Sequence, residues 1–74
     1  MKQQEIISIK TETIQLDQLL KLANVVVSGG QVRFLLEEQA VFVNDEVCTA
    51  KRKQLRHGDI VTVKGAGTYK IVGV

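Results

Sequence analysis

Between Leu16 and Val63 the spacing of apolar residues changes from helical to alternating, which restricts the chain to folds that join helices to a sheet. Leu16, Leu19, Leu20 and Ala23 stand at i, i+3, i+4 and i+7 on one helical face, while Asp17, Gln18 and Lys21 point away. The spacing predicts a first helix that ends at Asn24. Val25 to Val27 form a β-branched connector whose side chains are expected in the core. Ser28 is the expected N-cap of a second helix, and Gln31, three residues on, completes a capping box in which each side chain satisfies the other's free backbone N–H. Val32, Leu35 and Leu36 are its expected buried stripe. Arg33 and Glu37, at i and i+4, can form a surface pair worth about 0.2 to 0.5 kcal/mol.

Beyond Glu38 the period becomes two. Val41 and Val43 face one way, Asn44-Asp45 makes a tight turn, and Val47 continues on the return strand. Thr49 to His57 reads as a loop. Val61 and Val63 predict a further strand, Gly65-Ala66-Gly67 a reversal, and Tyr69 with Ile71 the strand that closes the sheet. Ile7 and Ile9, alternating with Ser8 and Lys10, predict a short half-buried strand near the start.

Size and composition narrow the functional classes. With 74 residues there is room for one domain, residues 1–74, and little room for a large catalytic cleft. The single cysteine, Cys48, cannot form an internal disulfide, which suits a reducing cytosol, and is expected to be a small apolar filler. Nearby Lys51 and Arg52 make a reactive thiol the alternative. No stretch approaches the roughly 18 apolar residues of a membrane span, and Met1 to Lys10 lacks the layout of a signal peptide. A cytoplasmic protein that does not engage membranes is expected.

The charge is local. Ten Lys and Arg face eight Asp and Glu, but Lys51, Arg52, Lys53 and Arg56 put four cations into six residues, and without them the balance is six against eight. A cationic loop held between strands suits a polyanion, because each Lys or Arg near a phosphate displaces a condensed counterion. The alternative is a solvated loop that keeps the domain soluble. Ser28-Gly29-Gly30, at the start of the second helix, presents free backbone N–H groups with no side chains at 29 and 30 to block a phosphate; ordinary capping is the competing explanation. No P-loop or dinucleotide fingerprint surrounds it.

Other chemistry is sparse. His57 lies beside Gly58-Asp59 and is expected to be a turn residue, since catalysis would also need a nucleophile and a pocket. One histidine and one cysteine give no metal-ligand spacing. Phe34, Phe42 and Tyr69 are too scattered for a stacking platform, so contacts to phosphate and helical shape are expected instead.

The stretch QLDQLLKLANVVVSGGQVRFLLEEQAVFVNDEVCTAKRKQLRHGDIVTV resembles the S4 RNA-binding domain. The resemblance runs through Leu16-Asp17 and Leu20, Ser28 with Val32, Leu35 and Leu36, Val41, Val43 and Asn44, then Gly58-Asp59 with Val61 and Val63. The ends look like those of small stand-alone bacterial S4-like proteins of the YaaA and YbcJ type. It implies an α+β S4-like domain (alpha-L motif), with two helices packed on a small curved antiparallel-rich sheet. It also implies a non-catalytic RNA-binding module, without cofactor, that meets structured RNA such as ribosomal RNA or its precursor. The family's basic loop maps onto Lys51, Arg52, Lys53 and Arg56, and its phosphate-facing helix start onto Ser28, Gly29 and Gly30. Arg33 and Lys21, exposed cations of the two helices, complete the candidate RNA-binding set. Gln15 and Gly29 depart from the pattern where many S4 domains carry Arg, and Gln39 and Asp45 stand where relatives often have glycine. A monomer is expected, with DNA as competitor and a protein partner left open. The alternative from another class is a small β-grasp interaction or carrier module, although the end Ile71-Val72-Gly73-Val74 lacks the usual Gly-Gly tail.

Overall fold

Two strands, two consecutive helices and five further strands make up the fold in a computed structural model that describes residues 4–73. Met1 to Gln3 and Val74, which entered the expectations about a leader and a Gly-Gly tail, lie outside the described residues. In chain order the elements are β1 (Gln4–Ser8), β2 (Thr13–Gln15), α1 (Leu16–Leu22), α2 (Gly29–Glu37), β3 (Val41–Val43), β4 (Glu46–Val47), β5 (Gln54–Arg56), β6 (Ile60–Val63) and β7 (Gly67–Val72). The main sheet has the order β1-β7-β6-β3-β4, and β2 and β5 make a separate two-stranded ribbon. All pairings are antiparallel except β1 with β7, which run parallel with Gln4 opposite Thr68 and Ser8 opposite Val72.

Both helices end in the same way. In α1, Asn24 takes a left-handed φ of 63°, and the N–H groups of Asn24 and Val25 donate to the carbonyls of Lys21 and Leu20 at 3.1 and 2.9 Å. This is a Schellman closure, which satisfies carbonyls that the last turn leaves free. In α2, Gln39 has φ 54°, and the N–H groups of Gln39 and Ala40 donate to Leu36 and Leu35 at 3.1 and 3.0 Å. The hairpin turn between β3 and β4 puts Asn44 and Asp45 at φ 51° and 71°, the paired left-handed geometry that matches strand twist. Gln39 and Asp45, the two positions where relatives often have glycine, thus both adopt positive φ.

The capping box does not form as expected. Ser28 is the N-cap with extended backbone but makes no side-chain cap bond, and Gln31 Oε1 instead accepts the N–H of Val27 at 2.6 Å. The glutamine reaches one residue further back, fixing the approach to the helix without using the serine hydroxyl.

Leu16, Leu19, Leu20, Val32, Val41, Leu55, Val61 and Ile71 are fully buried between the helices and the sheets. Each such aliphatic side chain contributes about 1.5 to 3 kcal/mol when removed from water. Leu35 is only half-buried, so the inner stripe of α2 is Val32 and Leu36. Of the valine connector, Val26 enters the core, Val25 packs at its edge and Val27 is 84% exposed. Tyr69 is buried beside Glu5 on the neighbouring strand. Desolvation raises its hydroxyl above the ordinary value of 10.0, and the Glu5 carboxylate adds to the rise.

The segment Thr49 to His57 is not all loop. Gln54–Arg56 is strand β5, paired with β2 in the register Ile14 opposite Leu55, and neither strand was predicted. Among the described residues, no helix is long and apolar enough to cross a membrane.

Candidate nucleic-acid interface

The basic segment is held by its backbone, which leaves its charges outside. At its start, the Cys48 N–H donates to Val41 at 2.8 Å and its buried thiol points to the Ala50 carbonyl at 3.6 Å, which fits a packing role and sets aside the exposed reactive thiol. The chain then turns, with the Lys53 N–H donating to Ala50 at 3.2 Å. The carbonyls of Lys53 and Lys51 accept the N–H groups of Leu16 and Asp17 at 2.9 and 3.1 Å. Gln15, the N-cap of α1, makes no side-chain cap bond, so the basic loop serves as the cap. Leu55, fully buried, then ties β5 to the core.

The far end is braced through Asp59. Its carboxylate accepts the Arg56 N–H at 2.9 Å and the Asn44 side-chain amide at 3.2 Å, and Asn44 Oδ1 accepts the Ile60 N–H at 3.0 Å. Gly58 supplies a φ of 94° in this turn. His57 is exposed and its Nδ1 accepts the N–H of Gly73 at 3.1 Å, a structural contact in keeping with the turn assignment.

Lys51, Arg52, Lys53 and Arg56 are all exposed, and among the described residues the one ion pair is Arg33 with Glu37 at 3.6 Å. The most direct link between loop and helix is Lys51. Its Nζ lies 3.0 Å from where a Cβ on Gly29 would stand, so the amine occupies space that only glycine leaves open at the first residue of α2. Cation and free backbone N–H groups thereby converge at the positive end of one helix, with Ser28 and Gly30 on either side.

From that point a groove of about 610 Å³ runs along α2, lined by Arg33, Leu36, Glu37, Gln39, Thr49 and Lys51. Arg33, Leu36 and Glu37 fall at i, i+3 and i+4, so the groove follows one helical face. The other cations fan out. Lys53 borders a smaller hollow of about 240 Å³ beside Val43, Glu46 and Val47, on the hairpin side. Arg56 sits at the far end of β5 opposite Thr13, and Lys21 lies one turn beyond Asp17 on α1. The structure therefore joins Lys51, Arg33 and the α2 start, and leaves Arg56 and Lys21 outside the groove.

Sequence reasoning missed the groove's Leu36, Glu37, Gln39 and Thr49 as site residues. The i, i+3, i+4 series from Arg33 was the available signal for the helical side; Thr49 arrives only through the fold. The aromatics are dispersed as expected, with Phe34 61% exposed on α2, Tyr69 buried and Phe42 half-buried beneath the Lys64 amine at 5.5 Å.

The chain is 46% identical over 66 residues to the probable ribosome maturation protein RlbA of Bacillus subtilis (strain 168), an overlap that spans 89% of this chain and 93% of that protein. Residues 7–72 match the family model of the S4 domain. With that match from β1 to β7, and with two helices against a mixed, antiparallel-rich sheet, the β-grasp alternative is set aside and the chain belongs to the S4 domain family.

Proposed function

We propose that the protein is a non-catalytic RNA-binding module that docks on structured RNA, ribosomal RNA or its precursor, during ribosome maturation. One observation carries this reading: the Lys51 amine is held over the Gly29 end of α2, where helix dipole, free N–H groups and side-chain charge favour the same anion. Family membership and likeness to a protein named for ribosome maturation support the same direction. Arg52, Lys53 and Arg56 extend the contact along the backbone on either side of that point, with Lys21 and Arg33 contributing from the helices.

The chemistry favours phosphate over base contacts as the main source of affinity, because phosphate contacts fix position while carrying little sequence information. Crosslinking the protein to RNA in living cells and sequencing the recovered fragments tests the proposal. Enrichment of ribosomal RNA or its precursor, lost in a variant with Lys51, Arg52 and Lys53 replaced by Ala, is the expected result. Recovery of background RNA alone, in equal amounts from both proteins, would refute it.

A further inference from the structure

The groove beside Lys51 has features that backbone binding does not need. A phosphate at the α2 start requires only the amine and the N–H groups, yet the surface continues into a recess of about 610 Å³ with an apolar floor at Leu36. That volume falls within the range of roughly 300 to 1,000 Å³ typical of sites for single small ligands, and it is far too small for an RNA double helix. Its walls are mixed: the Arg33 guanidinium and Glu37 carboxylate on the helix, the Gln39 amide at the end, and Thr49 with Lys51 across from them. Gln39 is fixed there by its left-handed backbone in the α2 closure.

We infer that this groove holds a single unpaired nucleotide of the bound RNA. Its phosphate lies at the Lys51 amine and Gly29, and its base lies over Leu36 against the Arg33–Glu37 pair. The inference rests on the proposed RNA-binding role and deepens it by naming the RNA feature selected: a bulged or looped-out base, the form in which RNA exposes its hydrogen-bonding edges. Charge complementarity orders the two ends, with the cationic end taking phosphate and the end carrying a carboxylate and an amide taking a base. A planar guanidinium offers the base a stacking face.

The Glu37 carboxylate, an acceptor only, further selects the base. Guanine presents adjacent N–H donors from its ring and its amino group, which a carboxylate accepts together. Uracil presents one donor flanked by two carbonyls, which would face the carboxylate oxygens unpaired. A bulged guanine is therefore preferred over a bulged uracil.

Titration of three RNA hairpins with the whole protein tests this: a fully paired stem, the same stem with one bulged guanine, and the same stem with one bulged uracil. The expected order is bulged guanine tightest, by about tenfold over the paired stem, with bulged uracil between them. Thr49→Trp, which fills the recess from the side across from the helix, should bring all three to the same affinity. Glu37→Gln, a change at an exposed position, should remove the guanine preference while keeping the preference for a bulge. Equal binding of all three hairpins by the unaltered protein would overturn the inference and leave the RNA-binding role standing. Absence of binding to any of them would overturn both.

Discussion

Gly29 offers a test in which stability and binding should move in opposite directions. Replacing it by Ala puts a methyl group 3.0 Å from the Lys51 amine, close enough that the flexible end of the lysine must retreat by a few tenths of an ångström; Leu at the same place sweeps the amine away altogether. Gly29 is the first residue of α2, and its φ is not left-handed, so a side chain there is compatible with the backbone. The chain should gain about 0.4 to 1 kcal/mol of stability from reduced freedom in the unfolded state. Binding should weaken. Loss of one phosphate contact removes about 0.7 to 0.9 from the slope of log K against log salt, which at 0.1 M salt is about a five- to eightfold loss of affinity. Denaturant melts and fluorescence titrations at several salt concentrations measure both quantities. The expected order of affinity is Gly above Ala above Leu, with the Ala variant more stable than the unaltered chain. An unchanged salt slope in a folded Gly29→Leu variant would refute the claim that Lys51 acts at the helix start.

Replacing Lys51, Arg52 and Lys53 together by Ala should flatten the salt slope by about 2 to 3 units, and thermal melts should show the fold intact, since exposed side chains contribute within about 0.5 kcal/mol. Leu55→Ala should cost about 2 to 5 kcal/mol in a denaturant melt because the side chain is fully buried, and Leu35→Ala should cost less because its side chain is only half-buried. Gln39→Gly should raise stability by about 0.5 to 1 kcal/mol, since its φ of 54° burdens any residue with a Cβ, and a lower midpoint would show that its side chain holds the α2 closure.

The helices and the strands β3, β6 and β7 were legible because each carries several apolar residues in phase. Leu16, Leu19 and Leu20 specify a face without any tertiary knowledge, as do Val41 with Val43 and Val61 with Val63. The β2–β5 ribbon was hidden for the opposite reason. Ile14 and Leu55 are the sole inward residues of three-residue strands, so no period exists to detect, and the surrounding charges make Gln54–Arg56 look like loop. The candidate interface was half visible. Clustered cations and a Ser-Gly-Gly helix start can be read locally, whereas the placement of Lys51 over Gly29 joins residues 22 apart and depends on the loop carbonyls capping α1. The capping box misled because Gln31 has two backbone N–H groups within reach, and the sequence does not say which one it takes.

The parallel pairing of β1 with β7 joins the two ends of the chain, from Gln4 opposite Thr68 to Ser8 opposite Val72. The ladders β2–β5, β3–β4 and β3–β6 can close once β6 is available, whereas β6–β7 and β1–β7 both wait for β7, and β1–β7 alone brings back the first strand. Loop-closure entropy rises only by about 0.6 kcal/mol per doubling of length, so the late step costs little stability even though it is the most distant contact in the fold. It does set an order of events: the helices, the cationic segment and β3 with β6 can assemble first, and the first strand is added as a final seam. Mutations in β1 should consequently speed unfolding and leave refolding rates nearly unchanged. During synthesis, the surface proposed to meet RNA would be assembled while the seam that locks it is still open.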